Sequence, residues 1–120
     1  MIRVVTESGK VVCERCETPG SSFGRARGLL GRDGLEPGGG MLIDGAGSVH
    51  MFFMRFPIDV VFLARDRTVV RVKHRLQPWR YAGARRAVAA LELPAGRAEE
   101  IGVEPGGVLV FEELGDPGNS

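Results

Sequence analysis

Apolar runs broken at short intervals by glycine and proline mark this chain as a series of short strands. Residues 2–6 and 10–13 are β-branched runs on either side of Glu7-Ser8-Gly9, which predicts a hairpin. Pro19-Gly20-Ser21-Ser22 ends that pattern. Phe23, Ala26, Leu29 and Leu30 then recur at helical spacing. Ser21 or Ser22 serves as N-cap and Gly31 as a stop, so a helix is expected near 22–30. Residues 34–40 read as a glycine-rich loop, and 41–43, 49–54 and 58–63 as strands. In the last of these, Ile58, Val60 and Phe62 take one side. Val61 and Leu63 share the other with Asp59, which predicts a central strand covered on both faces. Residues 68–73 alternate Val70 and Val72 with Arg71 and Lys73, so that strand has one wet face. Another strand is expected at 88–93, a short helix opened by Pro94 near 94–101 and closed by Gly102, and a further strand at 108–113. The fold class is therefore mainly β, a β-rich α+β chain. It is expected to form an antiparallel sandwich or partly closed barrel of seven to eight strands. Residues 1–114 are expected to form a single domain and 115–120 a frayed tail.

Composition narrows this picture. Gly 18 and Pro 7 in 120 residues favour short elements joined by turns over a helical bundle. Apolar residues at 43% and charged residues at 26% are ordinary for a globular fold and exclude collagen, coiled coil and wholesale disorder. The N-terminal stretch lacks the apolar segment of a signal peptide. The longest apolar run, 58–64, is interrupted by Asp59 and far short of the ~20 residues that span a bilayer. No membrane association and a cytoplasmic location are expected, where two cysteines are thiols rather than a structural disulfide. A net charge of +1 makes no global demand for nucleic acid. Its distribution is uneven: eight basic residues against Asp66 over 65–86, and Arg97 against seven acidic residues over 87–120. Such runs are solvated faces that pair with each other, or else a basic patch for an anionic partner with Trp79 and Tyr81 available to stack.

The stretch Ser48-Val49-His50-Met51-Phe52-Phe53-Met54-Arg55-Phe56-Pro57-Ile58-Asp59-Val60-Val61-Phe62-Leu63 resembles the hallmark segment of the bacterial and archaeal domain-of-unknown-function 192 family. Ala26-Arg27-Gly28-Leu29-Leu30-Gly31-Arg32, Leu76-Gln77-Pro78-Trp79-Arg80, Leu91-Glu92-Leu93-Pro94-Ala95-Gly96 and Gly102-Val103-Glu104-Pro105-Gly106-Gly107-Val108-Leu109 are similar in the same order. The likeness runs from about residue 2 to residue 112 and implies a small mainly-β domain without an assigned activity. Cys13 and Cys16 depart from it, because the family usually carries ordinary strand and loop residues there.

Cys13-Glu14-Arg15-Cys16 is a single C-x-x-C, readable as half a zinc site, a dithiol or two incidental thiols. His50 and His74 would complete a four-ligand set by count alone. The expected helix begins about six residues later, so the helix N-terminus that lowers a redox thiol's pKa is missing. His50 lies in an apolar strand, as a general base, a ligand contact or a residue satisfied by a carbonyl. Asp59 is costly to bury unpaired, and it either accepts backbone N–H groups or orients Arg55 or His50. Trp79 beside Arg80 floors a pocket or caps one end of the fold. Strand alternation sets Glu92 opposite Leu91 and Leu93, toward solvent. No phosphate loop or H-E-x-x-H is present, and no metal, cofactor or catalytic residue is assigned.

These readings converge on a binding module for a small polar or anionic ligand, with His50, Phe53, Arg55, Asp59, Trp79 and Arg80 lining the pocket. His50 and Arg55 donate hydrogen bonds, Asp59 holds Arg55 and Trp79 stacks. The alternatives are an enzyme with His50 as acid/base and Asp59 as its orienting partner, or a protein-interaction adaptor using the basic 65–86 face. A small-molecule partner is expected, nucleic acid is not indicated, and a protein partner is undefined.

Overall fold

A computed structural model describes residues 1–19, 32–52 and 54–115. Its apolar runs pair into one curled sheet and one small ribbon. The strands are β1 (Ile2–Thr6), β2 (Val11–Glu17), β3 (Gly39–Asp44), β4 (Ser48–His50), β5 (Ile58–Leu63), β6 (Val69–Leu76), β7 (Tyr81–Gly83), β8 (Ala89–Pro94) and β9 (Leu109–Glu113), and the helix is α1 (Arg97–Ile101). Seven strands form a sheet in the order β6-β5-β8-β3-β2-β1-β9, and β4 with β7 forms the ribbon. The sheet curls until Thr68 bridges Val108, and Val69 and Gly107 join by a 2.7 Å hydrogen bond. This is the expected mainly-β, partly closed barrel, with nine strands among the described residues rather than seven or eight. Among the described residues all strand pairs but one are antiparallel; β2 and β3 run parallel. The helix expected near 22–30 lies outside the described residues. No helix among those described is long and apolar enough to cross a membrane.

Both faces of the sheet are covered, which explains why every residue of β5 is buried. On the inner face Ile2, Val4, Val61, Leu91, Leu93 and Leu109 pack with Ala98 of α1. On the other face Met41, Val60 and Phe62 pack with Met51, Met54 and Phe56 beneath Val49 and Ala82 of the ribbon. The ribbon's outer positions, His50 and Tyr81, are exposed while Val49 and Ala82 are buried, and its pairing ends at His50–Tyr81. The strand expected through residue 54 therefore stops at His50, and a turn follows in which Met54 donates to the Met51 carbonyl at 3.2 Å. The short helix lies between Gly96 and Gly102, both with positive φ, and Gly102 closes it by donating to the carbonyls of Ala98 and Glu99.

Gly39 and Gly40 lie in β3, where a loop was expected. Glycine is required here by packing rather than by flexibility. A Cβ on Gly40 would stand 2.8 Å from the Glu92 carbonyl oxygen and 2.9 Å from Cys13 Sγ. Gly40→Ala is therefore expected to cost about 1–3 kcal/mol by forcing β3 and β8 apart, as a lower urea midpoint would show. An unchanged midpoint would mean that the pairing relaxes without cost.

Candidate functional site

Asp59 is fully buried, and its position follows from an irregularity in β6. Ile58 faces Leu76 while Val60 faces Lys73, so β6 carries one extra residue between those pairs. Arg75 takes φ 48° there. Its N–H, lost to the ladder, is accepted by Asp59 Oδ1 at 2.9 Å. Asp59 Oδ2 accepts the N–H groups of Gly96 at 3.0 Å and Ala98 at 2.9 Å, at the start of α1. Gly96 has no side chain to cap the helix, so Asp59 supplies the capping acceptor from another strand. The structure thus gives Asp59 the backbone-accepting role. Arg55 pairs instead with Asp33 at 3.4 Å, with both side chains largely exposed.

The ribbon's outer face gathers aromatic side chains. His50 and Tyr81 are paired across the strands, and both are exposed. Phe52 stacks on His50 with ring centroids 4.9 Å apart, and Trp79 tilts against Phe52 at 6.2 Å. Two backbone bonds fix the loops that carry them: Met51 donates to the Arg80 carbonyl and Trp79 donates to the Met51 carbonyl, each at 2.7 Å. Trp79 holds φ 68° and remains 58% exposed, and Tyr81 is 77% exposed. A bulky side chain at positive φ is strained, and such strain gathers at binding sites. Arg80, between them in the chain, is exposed. Phe53 lies outside the described residues. His50, Trp79 and Arg80 thus belong to one neighbourhood, whereas Asp59 faces α1 on the inner side of the sheet.

The sequence reading left Phe52 out of the site, named Tyr81 only as a stacking residue of the basic segment, and set Glu92 toward solvent. Phe52 and Tyr81 were visible as aromatic positions, each two residues beyond His50 and Trp79 respectively. Glu92 was expected in solvent but is 4% exposed. Alternation does set it opposite Leu91 and Leu93, as expected, but that second face is covered. It stands between its register neighbours Met41 and Val60, which pack beneath the ribbon. Burial lifts its carboxyl from the ordinary 4.5 to about 7. Asp59 faces the opposite side of the sheet, so the two carboxyl groups form no pair.

The basic 65–86 segment is partly committed to the fold. Arg71 donates to the Gly83 carbonyl, Arg75 pairs with Glu99 at 3.3 Å, and Arg67 lies 4.0 Å over the Phe111 ring. A cleft of about 890 Å³ is lined by residues of β1, β3, β5, β8 and β9 and of the turn after β5, with Asp44, Arg65, Arg67 and Glu113 among them. None of the expected site residues lines it. Cys13 and Cys16 are buried on the inner face, whereas His50 and His74 are exposed elsewhere. No group of three or more His, Cys, Asp or Glu side chains able to hold a metal occurs among the described residues.

The chain matches the DUF192 family model, described as Uncharacterized ACR, over residues 3–111. It is 33% identical over 114 residues to a UPF0127 protein of Thermococcus sibiricus, covering 90% of this chain and 67% of that one. A UPF0127 protein of Pyrococcus furiosus is 41% identical over 68 residues, 56% of this chain and 58% of the relative, so the match spans less than two thirds of that protein. A crystal structure of a proposed transcription regulator from Sinorhizobium meliloti 1021 superposes with a TM-score of 0.76 at 28% identity, covering 92% of this chain and 91% of the other. A protein of unknown function from Novosphingobium aromaticivorans superposes at 0.74 with 24% identity, over 91% and 82% of the two chains, and shows the fold alone.

Proposed function

Since this chain belongs to the uncharacterised DUF192 family, we propose, as a function for this member, that it is a binding module whose ribbon presents an aromatic platform to a small ligand with a flat ring face and an anionic group. The observation that carries the reading is Trp79, a large aromatic held at positive φ and mostly exposed, with His50, Phe52 and Tyr81 around it. Fold stability alone selects neither that conformation nor that exposure at a tryptophan. Flat faces stack on such rings, and Trp beside Arg is the pairing that concentrates binding energy. His50, Arg80 and Arg55 supply hydrogen bonds and positive charge. The Arg55–Asp33 pair is exposed and therefore weak, so an anionic ligand group displaces Asp33 at little cost.

Trp79 is the chain's single tryptophan, so its emission reports the site directly. Titration with adenosine 5′-monophosphate and with glucose 6-phosphate tests the two kinds of flat face. Saturable quenching by either supports the platform, with Tyr81→Ala and Arg80→Ala weakening it by roughly tenfold. No saturable response to either probe counts against it. So does binding that survives those substitutions but is lost on changing Arg65 and Arg67 at the other cleft. Trp79→Gly separates fold from function. Glycine is unstrained at positive φ, so this variant is expected to be about 1 kcal/mol more stable than Trp79→Ala, while neither variant is thermally stabilised by the probe. Equal stabilities would mean that φ 68° is not strained.

A further inference from the structure

Three residue steps along a regular strand reverse the face and separate Cα atoms by about 10 Å, so a C-x-x-C within a strand cannot normally bring its thiols together. In β2 it does. Val4 of β1 faces Cys13 and Ile2 faces Cys16, so three steps on β2 match two on β1. Glu14 and Arg15 fill the space of one residue, and both their N–H groups are accepted by the Gly38 carbonyl, at 2.9 and 3.0 Å. The bulge places both cysteines on the inner face with Ile2 and Val4. It also brings their Cα atoms to the spacing of two strand steps, about 6.8 Å, the upper edge of the span a disulfide bridges.

The thiol environments are unequal. In the reduced pair Cys13 Sγ lies 3.5 Å from the Gly38 carbonyl and Cys16 Sγ lies 3.7 Å from the Glu17 carbonyl. When Cys13 ionises, the Cys16 S–H turns to it; that hydrogen bond lowers the Cys13 pKa against the opposing effect of burial. The same bond and burial raise Cys16, which stays protonated. Cys13 itself is fully buried, so a peroxide reaches it only as the wall beside it opens. Gly40 packs against its sulfur and at the same time forms part of the wall of an open cleft of about 540 Å³, together with Arg15, Arg32 and Gly39.

From the bulge and the shared face we propose that Cys13 and Cys16 form a redox site, closing to a reversible disulfide on reaction with a small hydroperoxide. The Cys13 thiolate attacks one peroxide oxygen, the O–O bond breaks, and the departing oxygen takes a proton and leaves as water from hydrogen peroxide, or as an alcohol from an organic hydroperoxide. Cys13 is then a sulfenic acid. Cys16 sulfur attacks Cys13 sulfur. The S–S bond forms, the S–O bond breaks, and the departing hydroxide leaves as water with the Cys16 proton. Two electrons pass from the dithiol to the peroxide, so hydrogen peroxide yields two waters.

The test uses the full, folded chain. It is reduced, exposed to hydrogen peroxide, quenched, unfolded and treated with an alkylating agent, and its intact mass is read. The expected product has lost two hydrogens and takes no alkyl group, and dithiothreitol restores both reactive thiols. In Cys16→Ser the sulfenic acid at Cys13 is trapped by dimedone, roughly tenfold faster than Cys16 is trapped in Cys13→Ser. The proposal falls if the folded wild type keeps two alkylatable thiols under conditions that oxidise the urea-unfolded chain. It falls equally if the disulfide joins two chains, or if the two single variants are trapped at the same rate. The first two readings use the wild type, so a variant that fails to fold does not remove the test.

Discussion

Asp59→Ala is expected to lower stability by about 3–5 kcal/mol, a large share of what holds a small domain together. The carboxylate is fully buried and its oxygens accept three backbone N–H groups, from Arg75, Gly96 and Ala98. Alanine leaves all three without partners in the interior, each costing about 1–3 kcal/mol, and relaxation recovers part of the sum. The loss is also topological. Asp59 ties the irregular turn of β6 to the start of α1, so without it the helix loses its capping acceptor and Arg75 loses the partner of its left-handed backbone. Urea unfolding gives the number, and amide exchange locates it: the N–H groups of Arg75, Gly96 and Ala98 are expected to lose protection first. Asp59→Asn keeps one oxygen and turns an N–H donor toward other donors, for a loss of about 2 kcal/mol. A cost below about 1 kcal/mol for the alanine variant would mean that water enters and satisfies the three donors.

The second large effect depends on pH. Burial holds the Glu92 carboxyl at about 7 in the folded chain, against an ordinary 4.5. Between those values the folded state keeps a proton that the unfolded state has released. Raising the pH through that window therefore favours unfolding, and above about pH 7, with both states ionised, the penalty is constant. The shift corresponds to about 3 kcal/mol, undiminished by solvent because the group is almost wholly enclosed. Glu92→Gln keeps the shape and removes the ionisation. The difference in stability between variant and wild type is expected to be small at pH 4.5, to grow up to pH 7, and to level off with the variant ahead by about 3 kcal/mol. Parallel curves from pH 4 to pH 8 would show that Glu92 ionises without cost, through a partner brought in by rearrangement.

Where local pattern decides structure, the sequence was readable. The two-sided apolar run of β5 marked an inner strand covered on both faces, and Gly102 marked the end of the short helix, although Pro94, expected to open it, ends β8 and the helix begins at Arg97. Pairing between distant segments was not readable. The parallel contact of β2 with β3 and the strand character of Gly39 and Gly40 depend on close packing against β8 that no local window contains. Glu92 shows how one assumption misleads. Alternation gave its face correctly, but solvent was assigned to that face, although the neighbouring β5 already required both sides of the sheet to be covered. The backbone-accepting role of Asp59 was among the readings weighed, but its three partners come from a bulge and a helix start, and neither leaves a local signature in the sequence. Of the expected ligand-binding residues, His50, Trp79 and Arg80 share the ribbon neighbourhood because the backbone of Met51 bonds to both Trp79 and Arg80.

The pairing of β1 with β9 also sets the order of events during synthesis. Ile2 meets Glu113, so one edge of β1 has no partner until more than a hundred further residues have been made. At translation rates of about 5–20 residues per second that edge stays open for roughly five to twenty seconds. Its backbone is meanwhile a template for any passing extended chain. Closure of the curled sheet through Thr68 and Val108 waits for the same segment. The arrival of β9 thus covers the open edge of β1 and closes the curled sheet in one event.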